Sequence, residues 1–338
     1  MARHWQLAGP AMSYSSLALA VAFGLFAGTA RAADPIVLQI NAFPNAKALP
    51  LHAGIAKGIF EKRGLRLELE LTEGATAQRT GFAAGKYQIV HSAIDNAVYN
   101  IEVGKLDNVV LSGGDQGMNE FFVQGDVKTF ADLRGRILVV DATNTAYALQ
   151  VKKILAQHGL KEGDFTIKSV GAGVFRLKAM MEDKANAGGI LNLPFTVQAE
   201  QAGMKSLGRT TDLLGPYQGA GAYAMRGWAE KNRDTLERYL AAYVEAVRFV
   251  REPANKADNI TLLMAKLSLP RNVAERTYEL LQDPGFGFTP DAKFLPDGFR
   301  NLMALRAEVE NKQAVPNSGE RYVDLSYYNN AMKLVAAR

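Results

Sequence analysis

The feature that most constrains this chain is a repeated alternation of short apolar runs with helix-period segments, each closed by glycine or proline. Such alternation argues for α/β architecture with mainly parallel strands, because a parallel strand needs a crossover and a helix supplies one. Ile36–Ala42 reads as a buried strand, and Pro44, Asn45 and Pro50 break the chain before a helix over residues 51–57. Leu65–Leu71 alternates apolar and charged residues, the period of a half-exposed strand. A short helix over 76–84, a strand over 88–94, a helix over 95–103 and a strand over 108–112 complete the first set.

A second set follows, with strands expected over 136–140, 165–170 and 187–191 and helices over 145–157, 174–184 and 194–202. An extended segment over 217–225 then leads into a helical tail. There Leu236, Tyr239, Leu240, Tyr243, Val244, Val247 and Val250 trace one apolar helix face. No Pro/Gly/Ser-rich linker separates the sets, which favours two lobes sharing crossovers near Gln124 and Gly219 over two sequential domains. The expected division is a leader over 1–32, one lobe from 33–124 with 220–338, and a second lobe over 125–219.

The leader rests on Arg3 and His4, an uncharged apolar run over 15–26, and Ala30-Arg31-Ala32, with small residues where a signal peptidase reads them. The run falls short of the ~20 residues of a membrane-spanning helix, so cleavage after Ala32 and export to the periplasm are expected rather than anchoring. The mature protein is expected to be soluble and monomeric. The sequence contains no cysteine. Lipid attachment through cysteine, disulfides and thiol nucleophiles are therefore excluded. Loss of Arg3 and Arg31 lowers the net charge from +5 to +3. The charges are interspersed, which argues against nucleic acid as a partner.

In an open α/β sheet, ligands sit beyond the carboxyl ends of the strands. The loops leaving those ends supply the candidate binding residues Phe43, Leu49, Asp95, Asn96, Asp115, Asp141, Thr143, Asn144, Thr145, Phe175, Arg176 and Asn192, and Tyr217 at the start of the returning extended segment joins them. Asp95 and Asn96 either touch ligand or cap their own helix. The run from Asp141 to Thr145 enters a helix and offers an anion seat, with one of its residues serving as a plain cap. Phe43 and Tyr217 are either cleft walls or core. Arg176 either pairs with a carboxylate or sulfonate or lies solvated on its helix. It also takes the sixth place of Gly171-Ala-Gly173-Val-Phe-Arg176, where a dinucleotide fingerprint needs glycine, so no cofactor is expected. Asp95, Asp115 and Asp141 against Arg176 and Lys47 point to a neutral or amine-bearing organic ligand over a small inorganic anion.

The stretches Phe43-Pro44, Leu49-Pro50-Leu51, Ala56-Lys57-Gly58-Ile59-Phe60 and Gly64-Leu65 resemble the opening of the NMT1/THI5-like substrate-binding proteins. The similarity continues through Gly85-Lys86-Tyr87-Gln88-Ile89, Asp95-Asn96 and Phe130 to Arg136, and more loosely to Asp324-Leu325-Ser326-Tyr327-Tyr328. The resemblance implies a type II periplasmic-binding-protein fold that closes on a small molecule and docks to the permease of an ABC importer. Nitrate, sulfonate, taurine and thiamine-precursor binders make up that family.

Two other functions compete with transport. A sensor would hand the same ligand to a receptor. An enzyme on the same fold, of the thiamine-precursor type, would need an activated group. The four histidines, His4, His52, His91 and His158, show no metal-ligand spacing, so neither metal nor catalysis is expected. His91 and Ser92 are neighbours on a strand and point to opposite faces.

Overall fold

The alternation builds ten strands: β1 (Ile36–Ala42), β2 (Leu65–Leu71), β3 (Ile89–Ala93), β4 (Asn108–Val110), β5 (Asn119–Val123), β6 (Ile137–Val140), β7 (Thr166–Ser169), β8 (Asn186–Asn192), β9 (Lys205–Arg209) and β10 (Ala220–Met225). The computed structural model describes residues 1–2, 34–310 and 319–337. The expected leader, with its cleavage after Ala32, lies outside the described residues except for Met1 and Ala2. Pro35–Arg338 forms one compact unit.

The strands form two five-stranded sheets, ordered β2-β1-β3-β10-β4 and β7-β6-β8-β5-β9. The two orders are the same pattern. In each sheet the first strand lies between the second and third and runs parallel to both. The fourth place is taken by a strand arriving from the other half of the chain, β10 or β5, antiparallel to its neighbours. Both sheets are therefore mixed. β6 is a continuous apolar run, Ile-Leu-Val-Val, as a strand covered on both faces should be. The edge strand β2 buries Leu65 and Leu67 and exposes Arg66 and Glu68, the alternation expected of it.

The chain leaves the first sheet after β4 and returns before β10. The sequence places the first crossing near Gln124, but β5 already belongs to the second sheet, so the crossing lies between Val110 and Asn119. The two crossings are tied together by Asp115. Its carbonyl oxygen accepts from Gly219 N at 3.0 Å. Its Oδ1 accepts from Gly117 N at 2.7 Å and from Ala220 N at 3.2 Å. A Cβ on Gly219 would overlap Asp115 Oδ1 and the Gly117 backbone, so only glycine allows this approach.

The apolar face of helix Arg233–Arg251 is buried from Leu236 to Val250 as its period predicts, in one core with β1 and helix Leu49–Ala56. A separate core under the second sheet packs Phe121 edge-on to Phe130 at 5.2 Å. No helix among the described residues is long and apolar enough to cross a membrane.

The centre of the second sheet tolerates no added carbon. Gly189 pairs with Val139, and a Cβ there would overlap the Val139 carbonyl oxygen. Gly189→Ala should cost about 1–3 kcal/mol, the range for overpacking a rigid core. Urea unfolding would show this as a lower midpoint at unchanged slope. An unchanged midpoint would mean that β6 and β8 part without cost.

Candidate functional site

The two sheets place their strand ends and helix starts around two cavities, a larger and a smaller one. Phe43, Asn45 and Tyr147 line both, so the spaces adjoin. The first half of the chain contributes the end of β1 and the loop to Lys47, along with His91, Ser92 and Asn96 at the end of β3. The second half contributes Asp141 after β6, Asn192 at the end of β8, and Tyr147 and Arg176 from helices Ala146–Gln157 and Gly173–Glu182. This is the placement that the strand-end rule predicts.

The larger cavity is walled by aromatic rings: Phe43, Tyr147, Tyr243 and Phe288, together with His91. His91 sits 4.5 Å from the Tyr243 ring, and its Nε2 is 2.7 Å from the Tyr239 hydroxyl. Burial pushes its pKa down to about 3, so it is neutral. Asn96 Nδ2 donates to Ser92 Oγ at 3.2 Å. Lys47 Nζ lies 3.2 Å from Asp115 Oδ1 and also donates to the Gly117 carbonyl, so the one cation among the described residues lining this cavity is held at the crossing.

The smaller cavity is built around Arg176, which is 1% exposed. Its Nε donates to Ile190 O and its Nη1 to Gly171 O, both at 3.0 Å, and its guanidinium carbon stands 4.4 Å from the Tyr147 ring centre. Nη2 is buried with no partner among the described residues. A solvated place on the helix surface is thereby corrected: the side chain turns inward to meet the carbonyl of Ile190 in β8 and that of Gly171 just after β7. Asn192 Nδ2 donates to the Tyr147 hydroxyl at 2.8 Å. Asp141 accepts from Thr145 Oγ, and burial pushes its carboxyl up against the opposing pull of Arg176.

Phe43, Asn96, Asp115, Asp141, Arg176 and Asn192 thus lie at the cavities, while the other candidates do not line them. Leu49 is 1% exposed in the core, because its helix turns it under the first sheet. Asp95 faces Arg306 instead, with Oδ1 2.9 Å from Nε. Tyr217 packs with Phe299 and Leu302, and burial raises its pKa well above the ordinary phenol value. Thr143 is exposed, Thr145 bonds back to Asp141 and Ala142, and Phe175 covers Gly171. Asn144 donates to the Tyr99 hydroxyl at 2.7 Å, one of several bonds joining the halves. Ala46 N to Leu193 O at 3.0 Å and Ala172 N to Glu73 O at 2.9 Å are two others.

Sequence reasoning missed Tyr147, Tyr243 and Phe288. Tyr147 carried a readable signal, standing two residues past the helix start at Thr145. Tyr243 lies on the apolar face of its helix and Phe288 far along the chain, and only the fold brings them to the end of β3.

Two lobes with this shared strand order, joined by two adjacent crossings around a polar cleft, define the periplasmic-binding-protein fold. The family model described as NMT1/THI5 like matches residues 45–257, and the chain belongs to that family. Among solved structures it is similar to the nitrate-binding protein NrtA from Synechocystis PCC 6803, with a TM-score of 0.75, 14% identity and 90% of each chain covered. It is also similar to the alkanesulfonate-binding protein SsuA from Xanthomonas axonopodis pv. citri bound to MOPS, with a TM-score of 0.67 and 15% identity over 83% of this chain and 93% of that one. The desulfurization enzyme DSZB shares the fold as well, at a TM-score of 0.61 and 15% identity over 88% and 99% of the two chains. No curated protein matches the chain.

Proposed function

We propose that this protein is the exported solute-binding component of an ABC importer, capturing a small organic molecule between two lobes and presenting it to a permease. The observation that carries this reading is the cleft itself. Aromatic walls and polar side chains from both sheets converge on it, and Nη2 of Arg176 stands buried there without a partner. Clefts with aromatic walls and few convergent polar groups are the form of small-molecule sites.

The reading divides the molecule into lobes at the crossings near Asp115 and Gly219, each lobe carrying one sheet. Tyr99–Asn144, Ala46–Leu193 and Glu73–Ala172 bonds join the lobes, and opening must break them. A solute that touches both lobes stabilises the closed form by its preferential contacts there, and the closed form is what a permease recognises. The nitrate and alkanesulfonate binders among its structural neighbours support the same role.

The cleft chemistry supports binding without catalysis. His91 is neutral and bonded to Tyr239, while Ser92 Oγ accepts from Asn96, so the two do not form a base and nucleophile. A solute in hundredfold excess over its dissociation constant should stabilise the protein by ~2.7 kcal/mol, and thermal unfolding against a panel of organic acids, sulfonates, amines and nitrate would show it. Small-angle scattering should show a smaller radius of gyration with that solute than without it. A silent panel together with an unchanged radius would defeat the proposal.

A further inference from the structure

We infer that the solute is a flat aromatic monocarboxylate, its carboxylate on Nη2 of Arg176 and its ring between Phe43 and the tyrosines of the larger cavity. The inference rests on the solute-binding reading above and narrows it to a chemical class.

The anionic end follows from Arg176. The residue is 1% exposed and makes no ion pair among the described residues. Two backbone carbonyls use Nε and one Nη1 hydrogen, which leaves the remaining donors on Nη1 and Nη2. A buried cationic donor left unpaired is costly, and a planar carboxylate fits the guanidinium edge. The setting favours a negative charge a second time. Gly173, the first residue of helix Gly173–Glu182, lines the same cavity, so the positive end of a helix borders it. A Cβ at Gly173 would overlap the Phe195 ring and stand 3.1 Å from Asn192 Oδ1, so glycine lets the helix start approach this corner closely.

The count of acids points to one charge, not two. Asp141 lies in the same cavity, and a doubly charged phosphate or phosphonate would face it directly. Asp95 and Asp115, which the sequence set against an anion, are taken by Arg306 and Lys47. That removes the reason for preferring an amine.

The aromatic end follows from the walls. Phe43 and Tyr147 border both cavities, so a ring attached to a carboxylate at Arg176 passes between them into the space that Tyr243, Phe288 and the neutral His91 enclose. Offset and edge-on contacts with these rings favour a flat π-system over a saturated ring of similar volume. A bare nitrate would leave the larger cavity empty.

Isothermal titration of the purified protein should use benzoate, 4-hydroxybenzoate, cyclohexanecarboxylate, benzenesulfonate, benzamide and nitrate. The expected result is binding of the benzoates at least about tenfold tighter than of the other four, by the worth of one charged hydrogen bond or one set of ring contacts. Arg176→Gln should weaken benzoate by roughly 10- to 100-fold, and Arg176→Lys should recover only part of it. Tighter binding of benzenesulfonate, nitrate or benzamide, or indifference of benzoate to Arg176→Gln, would overturn the inference and leave the solute-binding reading intact. Failure of every small molecule, including a wider panel, would instead defeat that reading. If the Arg176 variants do not fold, a crystal of the benzoate complex decides: a carboxylate on Nη2 supports the assignment, and a carboxylate elsewhere refutes it.

Discussion

Arg306→Met should destabilise the protein by about 3–5 kcal/mol, the cost of leaving one charge of a buried pair uncompensated. Arg306 is 4% exposed, and its guanidinium reaches Asp95 with Nε at 2.9 Å from Oδ1 and Nη2 at 3.5 Å from Oδ2. Nη1 also pairs with Glu310. Burial alone would lower the Arg306 pKa, but the charges of Asp95 and Glu310 outweigh it and hold the pKa above the ordinary guanidinium value. For Asp95 the balance runs the other way: burial pushes its carboxyl up and Arg306 pulls it back. Without Arg306 only the upward push remains. In the variant, folded Asp95 should therefore have a pKa above its unfolded value, so its penalty is relieved as pH falls and grows as pH rises through that folded value. Urea unfolding at several pH values would measure this. Asp95→Leu combined with Arg306→Met should restore much of the loss, because apolar groups of similar volume replace a buried pair at little cost. A variant as stable as the parent would mean that water reaches the pair. The same experiment tests the role of Asp95. A structural partner of Arg306 leaves solute affinity unchanged in the folded double variant, whereas a ligand contact does not.

That pair marks a boundary of what the sequence could disclose. Asp95 stands at a helix start after a strand, the place where capping and ligand contact look alike. Its actual partner lies 211 residues away, beyond any local pattern. The βα alternation, by contrast, was legible almost throughout, because each βα unit of a sheet carries its own period. The strands that escaped were β5 and β9. β5 reads Asn-Glu-Phe-Phe-Val, with its apolar residues consecutive rather than alternating, and enters from the other half of the chain. β9, Lys-Ser-Leu-Gly-Arg, is a polar edge strand with a glycine inside it. Missing β5 is what moved the expected crossing to Gln124. Of the candidate residues, those directly at strand ends lie at the cavities, since one rule of α/β sheets places them there. The aromatic walls were not legible, because Tyr243 shares its helix face with ordinary core residues and nothing local separates a wall from a core. Arg176 shows the same limit from the other side: base rates put an arginine on the surface, and only the carbonyls of Gly171 and Ile190 explain its burial.

Between pH 7.5 and pH 5, His52 and His91 should together remove about 4 kcal/mol of stability. Burial holds His91 at about 3, and burial with help from Lys266 holds His52 at about 4. Both values lie below the unfolded 6.5, so the unfolded chain binds protons that the folded one refuses. Stability is then full above pH 6.5 and falls as pH drops below it, by about 1.4 kcal/mol per pH unit for each residue until the folded value is reached. At pH 5 that amounts to about 2 kcal/mol apiece. The carboxyls of Asp95 and Asp141, pushed up by burial, act in the opposite sense, so the total profile does not isolate the histidines. The differences do. His52→Gln and His91→Gln should each lose about 2 kcal/mol less than the parent over this range, as read from urea midpoints at the two pH values. A variant with the parent's profile would mean that its imidazole is hydrated and titrates normally. His52 lies on helix Leu49–Ala56 and lines neither cavity, whereas His91 borders the larger one. A bound aromatic solute removes the remaining water beside His91 and leaves His52 as it was. Folded His91 is already neutral at pH 5, so saturating solute should leave the contribution of either histidine over this range unchanged, and a deeper His91 contribution with solute would mean that its imidazole titrates above pH 5 in the free protein.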